Sequence, residues 1–160
     1  MDKNLTRWIF QSIAKHFKSV ADGLALPYFV EGVDERSEAD MREDHVELRV
    51  TGPVLKELSK GYWHIKATVN FLLTQRMRMS GADAFSIIQW AGEFADAMTK
   101  PIPIYKLGTS VEDTGELIGC LQVRKNRADA VHVYHFGQIK TDIRVRFSEV
   151  DALYEMFLSN

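Results

Sequence analysis

Tyr62-Trp63-His64-Ile65-Lys66-Ala67-Thr68-Val69-Asn70-Phe71 alternates without a break. Trp63, Ile65, Ala67, Val69 and Phe71 share one face of an extended chain. Tyr62, His64, Lys66, Thr68 and Asn70 share the other. At roughly 3.3 Å per residue such a strand reaches about 30 Å. A strand this long, apolar along one side, is expected at the centre of a sheet with one face against the core. Arg76 and Arg78 follow beyond its far end, before Gly81.

Upstream, Val46, Leu48 and Val50 alternate with Glu47, Arg49 and Thr51, which predicts a half-buried strand. Thr51-Gly52-Pro53 is expected to end it, with Pro53 at a bend or an edge because it has no N–H to donate. Lys60-Gly61 reads as a turn. Leu5, Trp8, Ile9, Ile13, Phe17 and Val20 recur at helical spacing and predict an amphipathic helix from Asn4 to Ala21, stopped by Asp22-Gly23. Leu26 to Glu31 reads as a short strand. The stretch from Gly32 to Asp44 is charged and aperiodic, and reads as an exposed loop.

Downstream, Ser80 to Asp83 has the form of a helix cap. Phe85, Ile88, Phe94, Ala95 and Met98 predict a second amphipathic helix, in which Gly92 would allow close approach to the sheet. Pro101 and Pro103 stop it and open an extended segment, Ile102 to Leu107. Leu117–Arg124, Val131–Phe136 and Ile143–Phe147 read as strands. Lys125 to Asp129 forms a turn between the first two, and Gly137 breaks the second. Val150 to Leu158 reads as either a further strand or a closing turn. This order predicts one α+β domain over residues 1–160: an antiparallel-rich sheet with two helices packed on one face.

The bulk composition agrees with a folded domain. The 160 residues are 46% hydrophobic and 26% charged, with 20 basic and 22 acidic residues and a net charge of −2. That balance gives no basic footprint for nucleic acid and no attraction to anionic lipid. No apolar run approaches a membrane span, and the N-terminal residues show no signal-peptide pattern, so folding in a cytoplasm is expected. The single cysteine, Cys120, excludes a disulfide within the chain and reads as a small core residue.

The residues capable of chemistry are scattered. His132 and His135 fall on opposite faces of a strand, which disfavours joint metal ligation. The carboxylates of 34–44 lack the EF-hand spacing. Cys120 has no base nearby in sequence, and no nucleophile elbow or phosphate-binding loop occurs. The helix start at Ser80-Gly81 could hold an anion only as any helix start can. Glu43-Asp44 and Glu112-Asp113 read as solvated loop charges. Arg76 with Arg78, Arg124 with Lys125 and Arg127, and Arg144 with Arg146 are short basic groups without a wider basic region; a solvated face or a salt-bridging subunit contact suits them better than a DNA groove. No catalytic, cofactor or metal residue is assigned.

Three stretches together resemble the tail-terminator, or tail-completion, family of long-tailed bacteriophages. They are Leu5–Phe10 leading to Leu26–Gly32; Val46–Pro53 with Ser59–Trp63; and Leu117–Leu121 with His135–Ile139. The likeness extends over nearly the whole chain. It implies a non-enzymatic virion protein of the tail or neck, assembled in the host cytoplasm. Such a subunit forms a homo-hexameric ring at the head-proximal end of the tail tube, ends tube growth and joins tail to head. The partners implied are the chain itself, the tail tube protein and a head-completion or neck protein. No membrane and no sequence-specific nucleic acid are involved, although DNA would pass through the ring. A neck or head-completion role is the alternative, and a small hydrolase a more remote one. On this reading the interface residues are Asp34, Glu35, Arg36, Glu38, Asp40, Arg42, Arg76, Arg78, Glu112, Asp113, Arg124 and Arg127. The loops from Asp34 to Asp44 and from Gly108 to Gly115 would reach neighbouring subunits. The acidic loop and the Arg76/Arg78 end would pair between them.

Overall fold

The computed structural model describes residues 2–78, 85–124, 131–140 and 143–159. The chain runs α1 (Leu5–Gly23), β1 (Tyr28–Val30), a 3-10 turn (Asp40–Arg42), β2 (His45–Ser59) and β3 (Tyr62–Arg76). It continues as α2 (Ser86–Met98), β4 (Ile102–Tyr105), β5 (Leu117–Val123), β6 (His132–Lys140) and β7 (Ile143–Ser159). This is an α+β fold. The sheet order is β1-β2-β3-β7-β5-β4, with β6 also bonded to β7. Only the short β1–β2 pair is parallel among the described strands.

The alternation at 62–71 marks the middle of this sheet. β3 is bonded along its length to β2 on one side and to β7 on the other, from Tyr62 opposite Ser159 to Arg76 opposite Val145. Ile65, Ala67, Val69, Phe71 and Leu73 point inward and are buried. Phe71 decides where the helices lie. Its ring meets Phe17 of α1 edge-on at 4.7 Å and Phe94 of α2 at 4.6 Å, so both helices cover the same face. Trp8, Ile9 and Ile13 of α1 and Ile87, Ala91 and Met98 of α2 complete that core. Tyr154 of β7 is fully buried there and donates its hydroxyl to the Met98 carbonyl at 2.7 Å, which satisfies a group that would otherwise be costly to bury.

Several expectations need correcting. Thr51-Gly52-Pro53 does not end β2; the pairing skips Gly52 and Pro53 and resumes at Val54 opposite Lys66. Gly52 makes this possible, because its φ of +105° suits a residue without Cβ and the Lys66 carbonyl lies 3.1 Å from where a Cβ would stand. Gly137 does not break β6 but pairs with Arg146. The ambiguous C-terminal stretch belongs to one 17-residue strand. The buried stripe of α2 is Ile87, Ala91, Phe94 and Met98, so Phe85 and Ile88 face outward. Gly92 faces open space rather than the sheet. Cys120 is exposed, because alternation along β5 gives the core position to Leu121. The helix cap expected at Ser80–Asp83 lies outside the described residues; α2 begins after Phe85.

Candidate assembly surface

The residues expected at an interface fall in three separate places. The first is the segment from Glu31 to Asp44, which lies along the outer face of β2 at its His45 end. Alternation turns His45 and Glu47 outward, yet both are buried. Arg36 forms an ion pair with Glu47, and Arg49 approaches the same carboxylate at 2.9 Å. Asp44 accepts from the Arg76 backbone N–H at 2.8 Å and from the Arg78 guanidinium at 3.1 Å; Glu43 pairs with the Arg76 guanidinium. The charges of the loop and of the Arg76/Arg78 end therefore meet within one chain. Asp34 accepts from the Val30 N–H at 2.7 Å, and Asp40 from the Ser37 N–H and hydroxyl. These Ser37 bonds lower the Asp40 pKa from its ordinary value. Glu35 and Glu38 stay exposed; Glu38 reaches Arg42 only at 3.9 Å.

The second place is the 106–116 loop, held against the start of α1. The Asp113 carboxylate is wholly withdrawn from solvent. It accepts two bonds from the Arg7 guanidinium at 2.9 and 3.2 Å, one from the Trp8 indole N–H at 2.5 Å, and two from Ser110. Arg7 also donates to the Leu107 carbonyl at 3.0 Å. The hydrogen bond from Arg7, followed by those from Trp8 and Ser110, holds the Asp113 carboxyl well below the usual carboxylate range. Gly108, at φ +144°, leaves room for this clasp; a Cβ there would collide with the Arg7 guanidinium and the Asp113 carboxylate. Glu112 accepts from the Asn4 side-chain amide. Glu112 and Asp113 thus fasten a loop to a helix.

The third place is Arg124, 4.0 Å from Glu155, which also bonds His64 at 2.8 Å on the outer face. Arg127 lies outside the described residues.

Sequence reasoning placed the Lys60-Gly61 turn and the strand after it, and missed the strand before it, the far half of β2. Beyond the bulge at Gly52-Pro53, β2 is mostly exposed where its first four residues are buried. Val54 is 63% exposed, Leu58 48% and Tyr62 39%, and Phe157 of β7 beside them is 53% exposed. The Phe157 ring stacks on His64 at 4.5 Å and on Tyr62 at 5.9 Å. Lys56 and Lys60 stand among these apolar groups. An open hollow of about 540 Å³ adjoins them, lined by Cys120, Gln122, Glu155 and Phe157 among others. The signal available was Lys60-Gly61 between two apolar-containing runs, which is a hairpin pattern.

Among the described residues, no group of three His, Cys, Asp or Glu side chains is placed to hold a metal ion. His135 meets the Ser148 hydroxyl at 2.5 Å, while His132 sits opposite Asp151 in the ladder. No helix among them is long and apolar enough to cross a membrane.

No family model matches the chain, and no curated protein matches it. Several solved structures are similar in fold; one of them matches over 93% of both molecules, with a TM-score of 0.57 at 10% sequence identity. That likeness extends to the fold and no further.

Proposed function

We infer that this chain is a structural virion subunit. It forms a ring at the head-proximal end of a phage tail tube, ends tube growth and offers the surface to which the head is joined. The observation that carries this reading is the bare far half of the hairpin. The far half of a 15-residue strand pair presents exposed Val54, Leu58 and Tyr62 interleaved with lysines. Side chains of this kind, rigidly presented at the end of a long hairpin, serve binding to other protein surfaces. The sequence resemblance to tail terminators adds the setting, and the tied-down charged loops add rigid faces of the sort a ring subunit requires.

The test is mass in solution by light scattering, with and without tail tube protein, followed by negative-stain imaging. The expected result is a closed ring of about six 18.3 kDa subunits, formed alone or on the tube. A single-subunit mass under both conditions would overturn the reading. Binding to a head-side protein but not to the tube would move the chain to the neck.

A further inference from the structure

We propose that the basic tip of the β2–β3 hairpin of one copy docks on the acidic segment 31–44 of the next copy, as the head-to-tail contact of the ring. This rests on the ring reading above and supplies its interface.

The two patches sit at opposite ends of one strand. The acidic segment packs at the His45 end of β2, and the tip lies at the Ser59 end. Fifteen residues of strand separate these ends by on the order of 45 Å. That distance exceeds the Debye length of about 8 Å several-fold, so neither patch neutralises the other within a chain. Each patch also carries a charge excess. Residues 31–44 hold seven carboxylates and two arginines; residues 54–66 hold three lysines and one glutamate, with Glu155 of β7 opposite Lys66 in the ladder.

Pairing of Glu31, Glu43 and Asp44 with Arg49, Arg76 and Arg78 reduces the acidic excess within the chain but does not remove it. Arg36, Arg49, Arg76 and Arg78 near the covered end all meet carboxylates of their own chain. Lys56, Lys60 and Lys66 meet none among the described residues. Glu35 likewise has no partner among them, and Asp34 and Asp40 are bonded only to neutral groups. Each patch also has apolar surface to bury, Leu58 and Tyr62 at the tip and Val33, 65% exposed, on the acidic segment. Patches that differ from one another yet complement each other make a heterologous contact, which closes into a ring when the rotation allows. Opposite charge sets the register of such a contact, and like charge placed across it is strongly unfavourable.

The experiment uses charge reversal on exposed residues of the full chain. One variant carries Lys56→Glu and Lys60→Glu, and the other Glu35→Lys and Glu38→Lys. Circular dichroism and thermal melting first confirm that both fold. Mass is then followed by sedimentation, on the tube protein if the wild type assembles only there. Each variant alone should associate at least about tenfold more weakly than the wild type. An equimolar mixture should regain the wild-type assembly, because reversed tips then meet reversed acidic segments around an alternating ring. Assembly of both single variants at wild-type strength would overturn the contact and leave the ring reading standing. Loss in both variants without rescue by mixing would also overturn it. Retention of a short DNA duplex by the wild type, lost on reversing the lysines, would assign the tip to nucleic acid instead. A wild type that never assembles would remove the ring and the contact together.

Discussion

The two halves of the β2–β3 hairpin share one ladder and one alternating pattern, yet they live in different surroundings. From His45 to Leu48, β2 is buried on both faces. The helices lie on one side and the 31–44 segment on the other. From Val54 to Ser59 most of it is exposed. The covered half pairs without interruption and the far half begins and ends at register shifts, yet what most separates them is coverage. Coverage comes from elsewhere in the chain: Phe17 and Phe94 on the inner face, Arg36 and Asp44 on the outer. The strand pair is backed by β7 along its whole length, but the outer cover of β2 is confined to its His45 end.

Deleting the junction of the two helices is the strongest way to break this comparison. Phe71→Ala removes a fully buried ring that touches both Phe17 and Phe94. We expect a loss of about 3–5 kcal/mol in urea unfolding, from lost transfer free energy plus the cavity left between sheet and helices. A loss under about 1.5 kcal/mol would mean that the helices do not depend on this point of the sheet.

The outer cover should matter less. Arg36→Ala leaves the buried Glu47 with Arg49 alone, still at 2.9 Å. Because one cation remains, the expected loss is about 1–3 kcal/mol, below that of a fully orphaned buried carboxylate. The segment 31–44 should then lie less firmly on β2, which faster amide hydrogen exchange at His45 and Glu47 would report. Unchanged exchange there would show that Asp44 and its bonds to Arg76 and Arg78 hold the cover by themselves.

These elements were unequally visible in the sequence. β3 was legible because its alternation is uninterrupted and its inner residues are apolar in every position from Trp63 to Phe71. β2 was half legible: Pro53 signals an end in any local reading, and only the partner strand shows that pairing resumes. Gly137 misled in the same way, since a glycine in an extended run looks like a stop until a neighbour bonds across it. Cys120 reads as a core residue because the run Leu117–Leu121 is apolar throughout and gives no phase; Leu121 takes the core position. The charged residues were the least legible. Asp113 and Glu35 look equivalent in a sequence, yet one is sealed under Arg7 and Trp8 and the other faces solvent. Pairing at a separation of more than 100 residues leaves no local signal.

Acid sharpens the contrast between tied and free charge. The Asp113 carboxyl has a folded pKa held below its ordinary 3.8 by Arg7, Trp8 and Ser110. A depressed carboxylate contributes stability above its unfolded pKa and loses that contribution as pH falls toward the folded value. The wild type should therefore lose stability progressively from about pH 5 downward, partly through this group. Asp113→Asn should start less stable at pH 7 and show a shallower decline over the same range, in paired thermal melts. Parallel declines would place the acid sensitivity elsewhere.

The smallest expected effect is the most informative about the far half. Leu58→Ser acts on a side chain 48% exposed, at the register shift between Glu57 and Ser59. With little packing to lose, it should change unfolding free energy by no more than about 0.5 kcal/mol. A loss above about 2 kcal/mol would mean that the tip is covered by its own chain, and the distinction between the two halves would fail. A negligible loss of stability together with weakened self-association would separate the two uses of apolar surface in this hairpin. At the covered end such side chains hold the domain together; on that result, those at the bare end would be left for another molecule.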